Sequence, residues 1–272
     1  MKLFFQKIGH GPTMIILHGL YGSSDNWISI ARRLADIYTV YLVDQRNHGK
    51  SPHQSMHSYP LMAQDINELM VSEGIENSVF IGHSMGGKVA MQFSILYPEK
   101  VSALIIVDIG PAGYAEIDNY SPQVITHLNI MNAMLSIDFS KFTSRVEIER
   151  ELAQMITDIH VRQFIMKNVQ RDAENNFRWK LNLGALSKAL PAIMGPISID
   201  KNNVRSKLCN FPVLFIKGER SNYITQEQIL LIKEYFPKAL IESISDAGHW
   251  VHADKPETFV KMVEEFLRTI QL

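Results

Sequence analysis

The sequence predicts an α/β fold: a mostly parallel, helix-flanked sheet with a helical cap inserted before its last two strands. Three observations predict it. Short apolar β runs alternate with segments of helical periodicity over residues 1–111, and again over 208–272. The runs are continuously apolar, as strands covered on both faces must be. Between about 112 and 207 the alternation stops, and helical periodicity continues without clear buried strands.

Taken in order, Leu3 to Lys7 reads as a short first strand, followed by a turn over Gly9 to Pro12. Thr13 to Leu17 is an apolar β run that ends in His18-Gly19-Leu20-Tyr21-Gly22. Trp27, Ile30, Leu34 and Ile37 give a helix over Asn26 to Ile37. Val40 to Val43 is a buried strand that runs into Asp44-Gln45-Arg46-Asn47-His48-Gly49. Leu61 to Val71 is helical. Val79, Phe80 and Ile81 form the next strand, and Met85, Val89, Phe93 and Leu96 recur at helical spacing up to Pro98. Val101 to Val107 is a long apolar strand that ends at Asp108. The inserted segment predicts helices around Gln123–Leu135, Arg145–Ile156 and Val161–Val169. The sheet resumes at Pro212 to Gly218, a helix covers Gln226–Tyr235, and Ala239 to Ile244 is the last strand. In the closing helix Asp254, Pro256 and Glu257 supply an N-cap, an early proline and a capping-box partner.

Size and composition narrow the class. The 272 residues suit one large domain, or one domain with an insertion. The formal net charge of −1 gives no reason to expect nucleic acid or an anionic membrane as a partner. Cys209 is the sole cysteine, so no intrachain disulfide forms and a cytoplasmic setting is natural. Its place just before a strand suits a structural thiol. Met1 to Phe5 is too short an apolar run for a signal peptide, and no run reaches membrane-spanning length.

The chemistry centres on Gly82-His83-Ser84-Met85-Gly86. It lies between a strand and a helix, the setting of a G-x-S-x-G elbow that exposes a serine hydroxyl at a sharp turn. Glycines two residues either side let strand and helix cross closely. Serine is unreactive at its own pKa, so the site needs a base, a group that orients the base, and donors for an oxyanion. His249 is the candidate base: it follows the last strand, at the carboxyl end where such sheets gather their functional groups. His252 reads as support for that loop, and His18 and His83 as structural neighbours or pocket walls. His249 and His252 lack a third ligand at zinc-site spacing, so no metal is expected. The acid is ordinarily sought after the penultimate strand. There the sequence reads Gly218-Glu219-Arg220-Ser221, with serine at the expected position. Asp108, at the neighbouring strand end, is the candidate acid, with Glu219 or an indirect arrangement as alternatives. Ser221 is a candidate hydrogen-bond partner of the histidine or the acid, and Asp246 reads as a turn residue. The backbone N–H groups of Leu20 and Met85 are the candidate oxyanion donors, Met85 at a helix N-terminus. Asp44 and Arg46 read as loop architecture. Met131, Met134, Phe164, Met166 and Trp179 are candidates to line an apolar pocket, against the plainer reading of cap core.

With Leu17-His18-Gly19, the Asp44–Ser51 loop, Gly82–Gly87 and Ala247-Gly248-His249-Trp250-Val251-His252 in view, the chain resembles an α/β-hydrolase over nearly its full length. The Asp-Gln-Arg-Asn-His-Gly loop, Val107-Asp108-Ile109 and Ser221 make it similar to the bacterial YbfF-type esterases and their mitochondrial relatives. That group has its acid after the earlier strand, which the resemblance carries to Asp108. The resemblance implies a serine hydrolase that cleaves carboxyl esters, acyl-CoA thioesters or both through an acyl-serine intermediate, without a cofactor. Two other readings stay open: a C–C bond hydrolase or lyase with the same triad, and a non-catalytic ligand-binding protein that retains the fold.

Overall fold

The computed structural model describes residues 1–114, 121–198 and 211–270. The expected junction at 207/208 and Cys209 lie outside the described residues. In chain order the elements are β1 (Phe5–Ile8), β2 (Thr13–Leu17), α1 (Ile28–Leu34), β3 (Thr39–Val43), α2 (Tyr59–Ser72), β4 (Ser78–His83), α3 (Met85–Leu96) and β5 (Val101–Val107). Next come α4 (Pro122–Leu135), α5 (Arg145–Leu152), α6 (Ile159–Met166), β6 (Val169–Arg171), β7 (Phe177–Trp179) and α7 (Leu183–Met194). The chain closes with β8 (Val213–Gly218), α8 (Gln226–Tyr235), β9 (Leu240–Ile244), α9 (Val251–Asp254) and α10 (Pro256–Thr269).

The main sheet has seven strands in the order β1-β3-β2-β4-β5-β8-β9. Among the described residues its pairings are parallel except that of β1, which runs antiparallel to β3. Because successive strand side chains point to opposite faces, the inner strands feed two apolar layers. Met14, Ile16, Val79, Ile81, Ile105 and Leu214 pack with Ile30 and Leu34 of α1 and Phe259 and Val263 of α10. Ile15, Leu17, Phe80, Leu104, Ile106 and Phe215 pack with α2, α3 and α8, in a layer continuous with buried residues of α4–α7. Fully burying each large side chain contributes about 1.5–3 kcal/mol, which fixes the strand ends in space.

Four local expectations are corrected. The first helix is shorter than Asn26–Ile37: a 3₁₀ turn over Ser24–Trp27 precedes α1. Ile37 is 54% exposed and Tyr38 takes the core position instead. The N–H of Tyr38 bonds to the carbonyl of Leu34 at 2.9 Å as the chain turns into β3. Leu96, at the end of α3, is likewise 45% exposed. Asp254 does not cap α10. It ends the extra helix α9, and its carboxylate accepts the N–H of Gly248 at 2.7 Å, while Glu257 pairs with Arg33 at 2.7 Å. Finally, the segment between β5 and β8 is not purely helical, because β6 and β7 form an antiparallel hairpin. Its strands are three residues long, too short to show a period. The available signal was the turn Asp172–Asn176: Asp172 accepts from the N–H groups of Glu174 and Asn176, with Asn175 at φ +67°.

Candidate active site

Ser84 stands between β4 and α3 at φ +51°, ψ −119°, a left-handed conformation that costs a non-glycine residue about 1–3 kcal/mol. The packing around it over-determines that strain. A side chain at Gly82 would collide with the carbonyl of Gly86, and one at Gly86 with that of Leu17, so both positions require glycine. The N–H of Ser84 donates to the carbonyl of Val107 at 3.0 Å, extending the β4–β5 pairing one residue past the strand. Its hydroxyl makes no hydrogen bond among the described residues, and the side chain faces a small cavity shared with Leu20, Met85, Ile109, Tyr114, His127 and Tyr223.

Asp108 follows β5 directly and also has a positive φ, +50°. It is fully buried, and its N–H continues the pairing with β8 through the Ile216 carbonyl at 2.8 Å. Three donors converge on its carboxylate. Gly218 N–H reaches Oδ1 at 3.0 Å, His249 Nδ1 reaches Oδ2 at 2.8 Å, and the Ser221 hydroxyl donates to the same Oδ2. Because His249 Nδ1–H is spent on the carboxylate, Nε2 is left as the basic nitrogen. The His249 main chain is fixed from below: His83 Nε2–H donates to its carbonyl at 2.8 Å. The imidazole stacks on Tyr223, with ring centroids 3.8 Å apart and planes 18° apart. Glu219 points away from this cluster and accepts the N–H of Asp246 at 3.0 Å. Asp246 is a turn residue at φ +57°. His252 stacks on Trp27 at 3.8 Å, beneath the loop that carries His249.

The loop after β2 brings Leu20 to the same cavity as Ser84 and Met85. The N–H groups of Leu20 and Met85 have no protein acceptor among the described residues. Buried histidines shape this loop. His18 Nδ1–H donates to Gly19 O at 2.8 Å and Nε2 accepts from Gln45 N–H at 3.0 Å. His48 donates to Arg46 O at 2.9 Å and accepts from Tyr21 N–H at 3.3 Å. Asp44 accepts from the N–H groups of Ser24 and Lys50, whereas Arg46 forms a bidentate pair with Asp65 at 2.6 and 2.8 Å.

Burial forces these histidines to stay neutral. It lowers His18 and His127 to about 4, and His48, His57 and His252 to about 3; it also takes His83 well below the ordinary value. Unfolding exposes them to water, where they protonate near 6.5. The unfolded chain therefore binds more protons between pH 6.5 and about 4. Stability from these groups is complete above pH 6.5 and falls as pH drops through that window. Urea unfolding at pH 7.5, 6.5, 5.5 and 5.0 is expected to give midpoints that drop steeply below 6.5. A flat profile down to pH 5 would contradict the buried neutral cluster.

The five cap side chains expected at the pocket divide differently. Met131, Met134 and Met166 are buried in the apolar core of the inserted segment. Trp179 packs on Phe139 and donates to the Met134 carbonyl at 3.1 Å. Phe164 lines a groove beside His249, next to Trp250. The cavity at Ser84 is walled instead by tyrosines and His127, which sequence reasoning missed. Tyr59, Tyr114 and Tyr223 carry no periodic signal that separates a pocket wall from core. Lys88 was missed too. Buried one turn beyond Ser84, it donates to the carbonyls of Ala112 and Gly195 and so ties the start of the inserted segment and the end of α7 to α3.

A strained serine elbow, a histidine paired with a buried carboxylate at the strand ends and a mostly parallel helix-flanked sheet define a hydrolase class, and the comparisons give the family. Residues 12–256 match the alpha/beta hydrolase fold model, and the chain belongs to that family. A solved structure described as a marine microorganism esterase superposes with a TM-score of 0.92 at 47% identity, covering 98% of this chain and 99% of that one. A putative esterase/lipase of Haemophilus influenzae is 36% identical over 94% of this chain and 83% of its own length. Esterase YbfF of Escherichia coli is 32% identical over 96% of this chain and 95% of its own. The chain thus sits in a branch of the family whose relatives carry esterase and lipase names. Among the described residues no helix is long and apolar enough to cross a membrane, and no group of three His, Cys, Asp or Glu side chains could hold a metal ion.

Proposed function

We propose that this chain is a serine hydrolase that cleaves carboxyl esters through an acyl-serine intermediate on Ser84. The observation that carries the reading is the 2.8 Å contact between His249 Nδ1 and the buried Asp108 carboxylate, beside a serine elbow whose cavity is bordered by Leu20 and Met85. His249 Nε2 takes the Ser84 proton as Oγ attacks the acyl carbonyl. Asp108 holds the imidazole in the tautomer that leaves Nε2 basic and stabilises the imidazolium that forms. The N–H groups of Leu20 and Met85 bind the oxyanion. The intermediate collapses, the C–O bond breaks, and His249 gives its proton to the leaving alcohol. Water then repeats the sequence on the acyl-serine and releases the acid. Ser221 supports Asp108. The inserted segment, 112–207, acts as a cap over the strand ends.

Acyl-CoA thioesters are the second reading, because the acyl carbonyl chemistry is the same. Lys167 and Arg220 line a groove of about 700 Å³ that also borders His249, where a phosphate-bearing leaving group would meet them. The test is turnover of p-nitrophenyl esters from acetate to decanoate, alongside an acyl-CoA series. Ester hydrolysis is expected. Failure to hydrolyse any ester would sink the main reading and favour the C–C hydrolase or ligand-binding alternatives. Acyl-CoA turnover comparable with the best ester would support the thioesterase reading.

A further inference from the structure

Ser84 faces a cavity with only about 10 Å³ of free space. That is about the room one water molecule needs, and an acyl chain does not fit. Beyond it lies an open, largely apolar groove of about 310 Å³ that includes Ile130, Val161, Trp250 and His249. Among the described residues, two side chains line both spaces: His127 of α4 and Tyr223 of the loop before α8. A hydrogen bond of 3.1 Å joins His127 Nε2 to the Tyr223 hydroxyl across the boundary.

On the reading that Ser84 accepts the acyl group, we propose that His127 and Tyr223 form a gate that determines which acyl groups reach it. In this structure the gate is closed. The main chain on each side is anchored: the His127 carbonyl accepts from Tyr21 OH at 3.2 Å, and the Tyr223 carbonyl accepts from Tyr114 OH at 2.8 Å. Opening is therefore a rotation of side chains, with the loops held in place. The two leaves are unequal. Tyr223 stacks on His249, so moving it disturbs the base. His127 is free of that constraint, and its buried Nδ1 has no partner among the described residues. A buried polar atom left unpaired weakens the closed state and offers an entering substrate a hydrogen bond. The geometry assigns His127 as the moving leaf and Tyr223 as the post.

The gate is tested by kcat/KM for p-nitrophenyl acetate and p-nitrophenyl octanoate in the native protein, His127→Ala and Tyr223→Phe. The short acyl group demands the least opening. A neutral hydrogen bond holds a two-state gate by about fivefold. The octanoate-to-acetate ratio is therefore expected to rise about fivefold or more in His127→Ala. It should rise in the same direction, by less, in Tyr223→Phe, which keeps the stack on His249. Both substrates falling together, with the ratio unchanged, would mark the pair as packing only and overturn the gate. If the native protein hydrolyses neither ester, the esterase reading fails first and takes the gate with it. Should His127→Ala not fold, Tyr223→Phe alone decides, since it removes a single oxygen.

Discussion

Ser84→Ala is expected to lower kcat for p-nitrophenyl esters by about 10⁵- to 10⁶-fold, with stability little changed. The size follows from what the hydroxyl does. Without Oγ no acyl-enzyme forms, and the remaining groups can only hold the carbonyl while water attacks unaided. The fold has little reason to respond, because the hydroxyl makes no hydrogen bond among the described residues. The strain at φ +51° lies in the main chain and is held by Gly82, Gly86 and the pairing to Val107, not by the side chain. A loss of activity accompanied by a large fall in melting temperature would mean that the substitution had damaged the elbow, and Ser84→Cys or Ser84→Gly would then separate chemistry from folding. Activity that survives Ser84→Ala would remove this residue as nucleophile.

Asp108→Asn is expected to cost about 10⁴-fold in kcat. The carboxylate accepts from His249, Ser221 and Gly218 together. An amide has one oxygen for these three donors, and its NH₂ would face the imidazole. It would donate to Nδ1, push the ring proton onto Nε2 and leave no base toward Ser84. Glu219→Gln provides the contrast. Among the described residues the Glu219 carboxylate bonds to the Asp246 N–H in the adjoining turn, so the expected change in kcat is within about twofold. Equal losses in the two variants would return the acid to the loop after β8.

The sheet was legible because its inner strands are buried on both faces and therefore read as unbroken apolar runs. Four of them run directly into a polar residue of the site or of its neighbouring loops: His18 after β2, Asp44 after β3, Ser84 after β4 and Asp108 after β5. The reading of Asp108 as the acid began from a single absence, serine at position 221, and the hydroxyl there shares the Asp108 oxygen with His249. What escaped the sequence lies mostly above the sheet. The hairpin β6–β7 is too short for periodicity, and apolar residues of α4–α7 read alike whether they face a core or a cavity. Of the five methionines and aromatics expected at a pocket wall, Met131, Met134 and Met166 lie in the apolar interior and Trp179 packs against it, while Phe164 lines a groove beside His249. His127 and Tyr223 were invisible for a different reason. They are 96 positions apart, and only tertiary structure brings them together.

A covalent acyl group on Ser84 is tested most directly by trapping the activated serine. A fluorophosphonate probe, which transfers its phosphonyl group to an activated serine and releases fluoride, is reacted with the native protein and with Asp108→Asn, followed by digestion and mass spectrometry. Stoichiometric modification of the peptide that contains Ser84 is expected in the native protein, with labelling slowed by orders of magnitude in Asp108→Asn. Modification of another residue, or equal labelling of the two proteins, would contradict it.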